Sequence, residues 1–471
     1  MNLKKTLHFL YRSCFWLFGL SMLLFTTVAV YLLLMSHNTC SFLPPDATVL
    51  IQGKSIENTP LKKWNRIYPG FTDTYPEAAS LIRQFATIRK QLPELFKRIN
   101  PVMTSPFTLC VGKAQNTLLT IDLGWKSVLF SASSFIVRSA FSPDKKVRYS
   151  SKEFYISGKN RTLYTIRLLR RKESITLALK RNLLFISLSE DTLKNAFKTG
   201  ASDASLSRDR SLKRARDCTD SRGDTICLQG EIPWFLKRSL LLPFPYLRWI
   251  CLTGSSRKKG INGCLTFSED LQKKQPVLHR LLHSNRFIPG KLASSPGENG
   301  SIIKIILFDD LSEILKLKKL RKLPYKITRL SANEAGLIQN RNGWTVYLRL
   351  LSTGAGKAIA RKLAAAAPGK QLFSGSKSSA LAPLTALFRM PPPRFTGIRD
   401  NLLLCSNSRR EFNIAYPEGR AFLRQLIRKE LLPANTLLIK PHGKMREVTT
   451  FSFAEGLVRF RSFLIPIHKA Q

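Results

Sequence analysis

The sequence predicts an α+β protein: one N-terminal transmembrane helix followed by two tandem modules, each with a mostly antiparallel sheet covered by helices. Three observations carry this expectation. Residues 13–35 form a run of 23 without a charge. The chain beyond it is dominated by short apolar segments bounded by turn residues, the pattern of strands. Residues 181–200 also align without gaps on 400–419, with Asn182/Asn401, Leu183/Leu402, Leu184/Leu403, Ser187/Ser406, Ser189/Ser408, Ala196/Ala415 and Gly200/Gly419 identical.

The first element is the apolar run. At about 1.5 Å per residue it is long enough for the ~30 Å hydrocarbon core of a bilayer. A cleaved signal peptide has a shorter apolar region, about 7–15 residues, and a small-x-small exit. Here the exit reads Met35-Ser-His-Asn-Thr-Cys40, so an uncleaved signal anchor is expected. Lys4, Lys5 and Arg12 precede the run, and the next basic residue is Lys54. The positive-inside rule then puts residues 1–12 in the cytoplasm and the body outside it, at the inner membrane of a cell envelope.

The first module is expected over 43–283 and the second over 301–471, with a Pro- and Gly-containing linker at 284–300. Leu43-Pro-Pro-Asp-Ala-Thr48 opens the body and leads into a strand, because the proline pair stops the preceding helix. Apolar residues at spacings of three and four, from Leu81 to Ile99, predict an amphipathic helix over 76–99. Strands are expected at 107–112, 117–123, 127–131, 153–157, 163–169, 174–179 and 183–188. The repeated unit is a buried strand running into a helix, with Ser189 and Ser408 at N-cap positions and Gly200 and Gly419 at the far end. Each copy is preceded by a strand and a basic helix, and followed by a terminal hairpin at 246–268 or 446–466. Residues 199–226, rich in Ser, Asp and Arg, read as a flexible surface insertion in the first module.

Charge is the compositional outlier. The chain has 76 Lys plus Arg against 30 Asp plus Glu, a formal net charge of +46. So large an excess repels itself unless anions are close by. The expected partners are an integral membrane, and beyond it an anionic envelope polymer, lipid headgroups or a protein. Nucleic acid is expected only if the topology is inverted. Candidate contacts are Arg83, Arg89, Lys90, Lys97 and Arg98 on the polar face of the 76–99 helix, and Lys316, Lys318, Lys319, Arg321 and Lys322 along and after the basic helix of the second copy. A solvated surface with no single patch would give the same composition.

The eight cysteines contain no C-x-x-C pair, so a zinc site is not expected. Cys251 and Cys264 would lie opposite one another in a hairpin, and Cys218 and Cys227 could close a short loop, giving two possible disulfides. Free buried thiols fit each of them as well.

No catalytic constellation emerges, and no cofactor is expected. His279 and His283 have helix spacing, but Arg280 stands where a zinc protease needs Glu. Gly354-Ala-Gly-Lys357 lacks the earlier glycine of a phosphate loop and has Ala358 where Ser or Thr should follow. Asp309-Asp310 could hold a nucleotide's cation in a single-pass transferase, although Asp310 also suits a helix cap. Arg222-Gly-Asp224 sits between Cys218 and Cys227, and loop composition alone accounts for it.

The segments Leu43-Pro-Pro-Asp-Ala-Thr48, Asn182-Leu-Leu-Phe-Ile-Ser-Leu-Ser189 and Leu247-Arg-Trp-Ile-Cys-Leu252, in that order after an anchor, resemble an uncharacterised bacterial family of signal-anchored envelope proteins carrying a domain of unknown function. The resemblance covers most of 43–270, and the family has no catalytic residues to carry over. The basicity and the 199–226 segment depart from it. The function expected is that of a membrane-tethered, non-enzymatic envelope protein whose basic modules bind an anionic surface or a partner. The alternatives are a single-pass transferase and a cytoplasm-facing binder of nucleic acid or anionic lipid.

Overall fold

The structure, a computed structural model, describes residues 3–35, 39–55, 60–91, 104–113, 116–124, 145–149, 152–159, 163–168, 174–180, 182–200, 205–219, 224–237, 244–255, 260–282, 302–308, 310–324, 327–340, 343–364, 372–374, 379–399, 401–409, 436–442, 445–454 and 456–466. The expected strand at 127–131 and linker at 284–300 lie outside these residues. The chain divides into two compact units, Met1–Asp209 and Arg210–Gln471.

The first unit begins with helix α1 (Leu3–Met35), a 3-10 turn (Thr39–Phe42), strand β1 (Ala47–Gly53) and helices α2 (Pro60–Ile67), α3 (Phe71–Thr74) and α4 (Pro76–Gln91). Strands β2 (Phe107–Gly112), β3 (Thr117–Asp122), β4 (Lys145–Tyr149), β5 (Lys152–Lys159), β6 (Leu163–Leu168), β7 (Ser174–Lys180) and β8 (Leu183–Ser187) follow, then helix α5 (Glu190–Gly200). The strands pair antiparallel in the order β1-β2-β3-β8-β7-β6-β5-β4. Fully buried Leu109, Leu119, Phe185 and Ile186 show why β2, β3 and β8 read as continuous apolar runs: both faces of these strands are covered.

The expectation of a membrane span is corrected. Among the described residues no helix is long and apolar enough to cross a membrane. The apolar residues of α1 are bare, with Phe15 66% and Trp16 70% exposed.

The second unit contains helix α6 (Arg210–Cys218), β9 (Thr225–Gln229), α7 (Trp234–Lys237), β10 (Leu247–Ser255), β11 (Gly260–Phe267), α8 (Leu271–Lys274) and α9 (Pro276–Leu282). It continues through β12 (Ile302–Leu307), α10 (Leu311–Leu317), α11 (Ile327–Leu330), β13 (Ser331–Gln339), β14 (Trp344–Leu350), α12 (Thr353–Ala364), β15 (Leu372–Ser374) and α13 (Ala382–Ala386). The last strands are β16 (Phe395–Arg399), β17 (Leu402–Ser406), β18 (Thr436–His442), β19 (Met445–Ala454) and β20 (Leu457–Pro466). Pairing is antiparallel throughout, in the order β9-β10-β11-β20-β19-β18-β12-β13-β14-β17-β16-β15.

The repeated strand makes the same bonds in both units. The Ser187 hydroxyl donates to the Thr117 carbonyl at 2.9 Å and accepts from the Ser189 amide at 3.2 Å. The Ser406 hydroxyl donates to the Trp344 carbonyl at 2.9 Å and accepts from the Ser408 amide at 3.3 Å. The Asn182 carbonyl receives the Leu123 amide, as the Asn401 carbonyl receives that of Leu350. Only the Ser187/Ser406 column makes these bonds through its side chain; those of Asn182, Asn401, Ser189 and Ser408 run through the backbone and place no demand on residue type.

Residues 199–226 differ from the flexible insertion expected of them. Their described part includes α6, which buries Leu212 and Ala215 and packs on β10 and β11. Two apolar residues three apart suffice for a stripe on a helix this short.

Gly200 ends α5 against the Phe42 ring, and a Cβ added there would come within 2.2 Å of it. That ring in turn meets Phe185 edge-on at 5.2 Å. Gly200→Ala should therefore destabilise the first unit by about 1–3 kcal/mol through overpacking, measured as a lower urea midpoint.

Candidate anion-binding site

The most chemically distinctive part of the second unit lies where α10 and α13 end. Asp310 starts α10: its carboxylate accepts from the Ser312 amide at 2.7 Å, which is a cap and not a cation ligand. Leu311, Ile314 and Leu315 bury one face, at the spacing of an amphipathic helix. The helix ends in a Schellman pair of bonds, Lys319 N–H to Lys316 C=O and Leu320 N–H to Leu315 C=O. That motif needs a left-handed residue, and Lys319 supplies it at φ 56°.

Helix α13 ends in the same way. The Arg389 N–H bonds the Ala386 carbonyl, the Met390 N–H bonds that of Thr385, and Arg389 has φ 63°. Both left-handed positions, normally glycine, thus carry a cation. The Lys318 ammonium links the two helix ends by donating to the Leu387 carbonyl. Cations at helix C-termini complement the dipole there, so part of this arrangement is structural.

The sheet adds two further cations. Lys304 on β12 lies opposite Leu337 of β13 and Leu438 of β18, both buried. Lys440 falls diagonally across from it on the same face of β18, and such neighbours sit about 7–8 Å apart. Burial, then Lys440 and Arg389, lower the affinity of Lys304 for its proton. Lys318 is lowered to about 8, first by burial and then by Arg389 and Lys304. Among the described residues neither Lys304 nor Arg389 forms an ion pair with an acid. The nearest acid along α10, Glu313, is held by Arg280.

Of the basic residues expected to meet an anion, the structure brings Lys318 into this cluster. Lys316, Lys319, Arg321 and Lys322 are exposed beside it. Arg83 is exposed on α4 in the other unit, while the side chains of Arg89 and Lys90, and Lys97 and Arg98 altogether, lie outside the described residues. Sequence reading missed Lys304, Arg389 and Lys440. The one available signal was a lysine set between isoleucines in Ile302-Ile-Lys-Ile-Ile306.

The four cysteines singled out from the sequence are all bonded, but with their partners exchanged. The bonds are Cys218–Cys264 and Cys227–Cys251. Cys251 does face Cys264 in the β10–β11 register, as expected, yet it faces Cys227 of β9 equally directly. With α6 lying on β10 and β11, Cys218 at its last residue takes Cys264.

Two buried thiols elsewhere are held protonated. Burial pushes the Cys405 thiol up to about 12, and burial with Asp46 and Cys40 nearby pushes Cys110 higher still. Buried Glu334 accepts from the Tyr347 hydroxyl at 2.9 Å and from Arg349 at 3.2 Å. His279 lies on α9, and His283 is outside the described residues. Among the described residues no three His, Cys, Asp or Glu side chains are grouped to hold a metal.

No family model and no curated protein matches this chain. Among solved structures it is similar to one titled "Structure of crystal form I of TP0453", at 10% identity over 52% of this chain and 86% of that one, with a TM-score of 0.22. A likeness of that size carries no argument about fold or function.

Proposed function

We propose that this chain is a non-enzymatic envelope protein whose basic units bind an anionic surface, and that the surface is a bilayer with acidic headgroups. The observation that carries this reading is the charge: +46 overall, with Lys316, Lys319, Arg321 and Lys322 bare around the end of one helix. Basic side chains close to an anionic leaflet contribute about 1 kcal/mol each. The exposed Tyr11, Phe15, Trp16 and Phe18 of α1 support a lipid partner, since a charged polymer offers nothing to aromatic and aliphatic groups. This contact requires no crossing of the bilayer.

The test is sedimentation of the whole chain with phosphatidylglycerol vesicles and with phosphatidylcholine vesicles. Retention is expected on the first at low salt and should fall at ~1 M, where the Debye length is ~3 Å. Replacing Lys316, Lys319, Arg321 and Lys322 by Gln should weaken binding by up to ~10³-fold, four contacts of about 1 kcal/mol. Equal retention on both vesicles, or retention indifferent to salt and to these substitutions, would sink the electrostatic reading.

A further inference from the structure

We infer that the four bonded cysteines form a thiol-triggered exchange relay, through which the second unit trades Cys218–Cys264 and Cys227–Cys251 for Cys251–Cys264 and Cys218–Cys227. The relay rests on strand register and does not depend on an anionic partner.

Three of the four cysteines stand in one row. Cys251 on β10 lies directly opposite Cys227 on β9 and directly opposite Cys264 on β11. Residues opposite one another on paired strands share a sheet face, so three Cβ atoms line up across three neighbouring strands, roughly 5 Å apart. The two sides of Cys251 differ only in the pleat. The Gly230 amide bonds the Arg248 carbonyl, and alternation from there makes Cys227 and Cys251 a non-hydrogen-bonded pair. Their Cα atoms are 4.0 Å apart. Cys251 therefore turns its backbone bonds toward β11, and its pair with Cys264 is the wider kind, about 5.5 Å between Cα atoms. That spacing is well within what a disulfide spans. Cys251 thus has two usable partners and occupies one.

The row also suits the chemistry of exchange. A thiolate displaces sulfur along the axis of the bond it breaks, and here Cys264, Cys251 and Cys227 supply the entering, central and leaving sulfurs in line. Access decides where exchange begins. Cys227, Cys251 and Cys264 are no more than 1% exposed, whereas Cys218, the last residue of α6, is only half-buried.

An external thiol, having given up its proton, attacks the Cys218 sulfur and displaces Cys264 as a thiolate. Directly opposite Cys264 on its other side is Arg459 of β20, and a neighbouring cation favours a thiolate. The Cys264 thiolate attacks the Cys251 sulfur, forming Cys251–Cys264 and displacing Cys227. The Cys227 thiolate then attacks Cys218, forms Cys218–Cys227 and releases the external thiolate, which regains its proton. Two disulfides are broken and two are made, so no oxidant or reductant is consumed. The trade moves the tether of α6 from β11 to β9, two strand spacings or about 9.5 Å. Helix α6 already touches both strands, and its exposed Arg210 and Lys213 would travel with it.

Incubating the full chain with reduced glutathione, then acid quenching, alkylation and mass-spectrometric mapping of linked peptides, tests the relay. Cys251–Cys264 and Cys218–Cys227 peptides are expected to accumulate, with glutathione found on Cys218 alone. In Cys264→Ser, opening of the buried Cys227–Cys251 bond should slow by about tenfold or more, because no internal thiolate reaches it. Cys218→Ser releases Cys264 without any external thiol, and its one remaining bond should be found at both Cys227–Cys251 and Cys251–Cys264. The buried thiols of Cys110 and Cys405 report on unfolding, and neither should enter a linked peptide. Loss of both native bonds without the crossed pair, or crossed peptides accompanied by Cys110 or Cys405, would overturn the relay. So would undiminished opening in Cys264→Ser, or a Cys218→Ser protein that holds Cys227–Cys251 alone.

Discussion

Reducing the two disulfides should lower the stability of the second unit by about 7 kcal/mol. The bonds close loops with sequence separations of 46 and 24. Loop-closure entropy alone assigns about 4 and about 3.5 kcal/mol to loops of these lengths taken singly. The loops are nested, because Cys227 and Cys251 lie between Cys218 and Cys264, so once one bond is made the other closes a shorter path and the total falls just below their sum. The loss should fall on one unit, since all four cysteines belong to the second. Urea unfolding of the full chain with and without a dithiol reductant is the measurement. A midpoint for the second unit that ignores the reductant would show that these thiols are not paired in the folded protein.

In the first unit the largest single effect should come from Trp64→Ala, about 3–5 kcal/mol. Trp64 on α2 is fully buried, with its ring 5.5 Å from Phe71 on α3 and 5.9 Å from Phe107 on β2. It therefore joins two helices to the sheet, and truncating it opens a cavity that three elements would have to move to fill. Its indole N–H is buried and has no hydrogen-bond partner among the described residues. Trp64→Phe consequently deletes an unsatisfied donor along with some volume, and should cost no more than about 1 kcal/mol. Chemical denaturation of the two variants separates these contributions. A Phe variant as unstable as the Ala variant would show that the indole N–H matters more than ring packing.

Local pattern was the legible part of this molecule. The Leu, Ile and Phe runs at 107–112, 163–169, 174–179 and 183–188 are β2, β6, β7 and β8 to within a residue or so, and the hairpins expected at 246–268 and 446–466 are β10–β11 and β19–β20, although the first belongs to the second unit and does not end the first module. Each of those assignments needs only neighbouring residues. The disulfide partners needed more. Facing of Cys251 and Cys264 follows from one hairpin, but β9 on the far side of β10, and α6 above it, are brought in by longer-range packing. The candidate site was less legible still. Lys318 could be named because it ends a basic helix, whereas Lys304, Arg389 and Lys440 are separated by dozens of residues and meet only through the β12–β18 pairing and the end of α13. The membrane span failed differently: residues 13–35 carry no charge, yet among the described residues no helix is long and apolar enough to cross a membrane.

The left-handed residues at the ends of α10 and α13 have an implication for engineering. At 319 and 389 the backbone asks for glycine, and at 304 the neighbours ask for an aliphatic side chain. Selection on melting temperature alone would drift toward those residues, each worth a few tenths of a kcal/mol to about 1 kcal/mol. The hardier protein so obtained would have shed its charge one substitution at a time. Positions where a chain resists its own local preferences are where a stability screen of this protein should be held fixed.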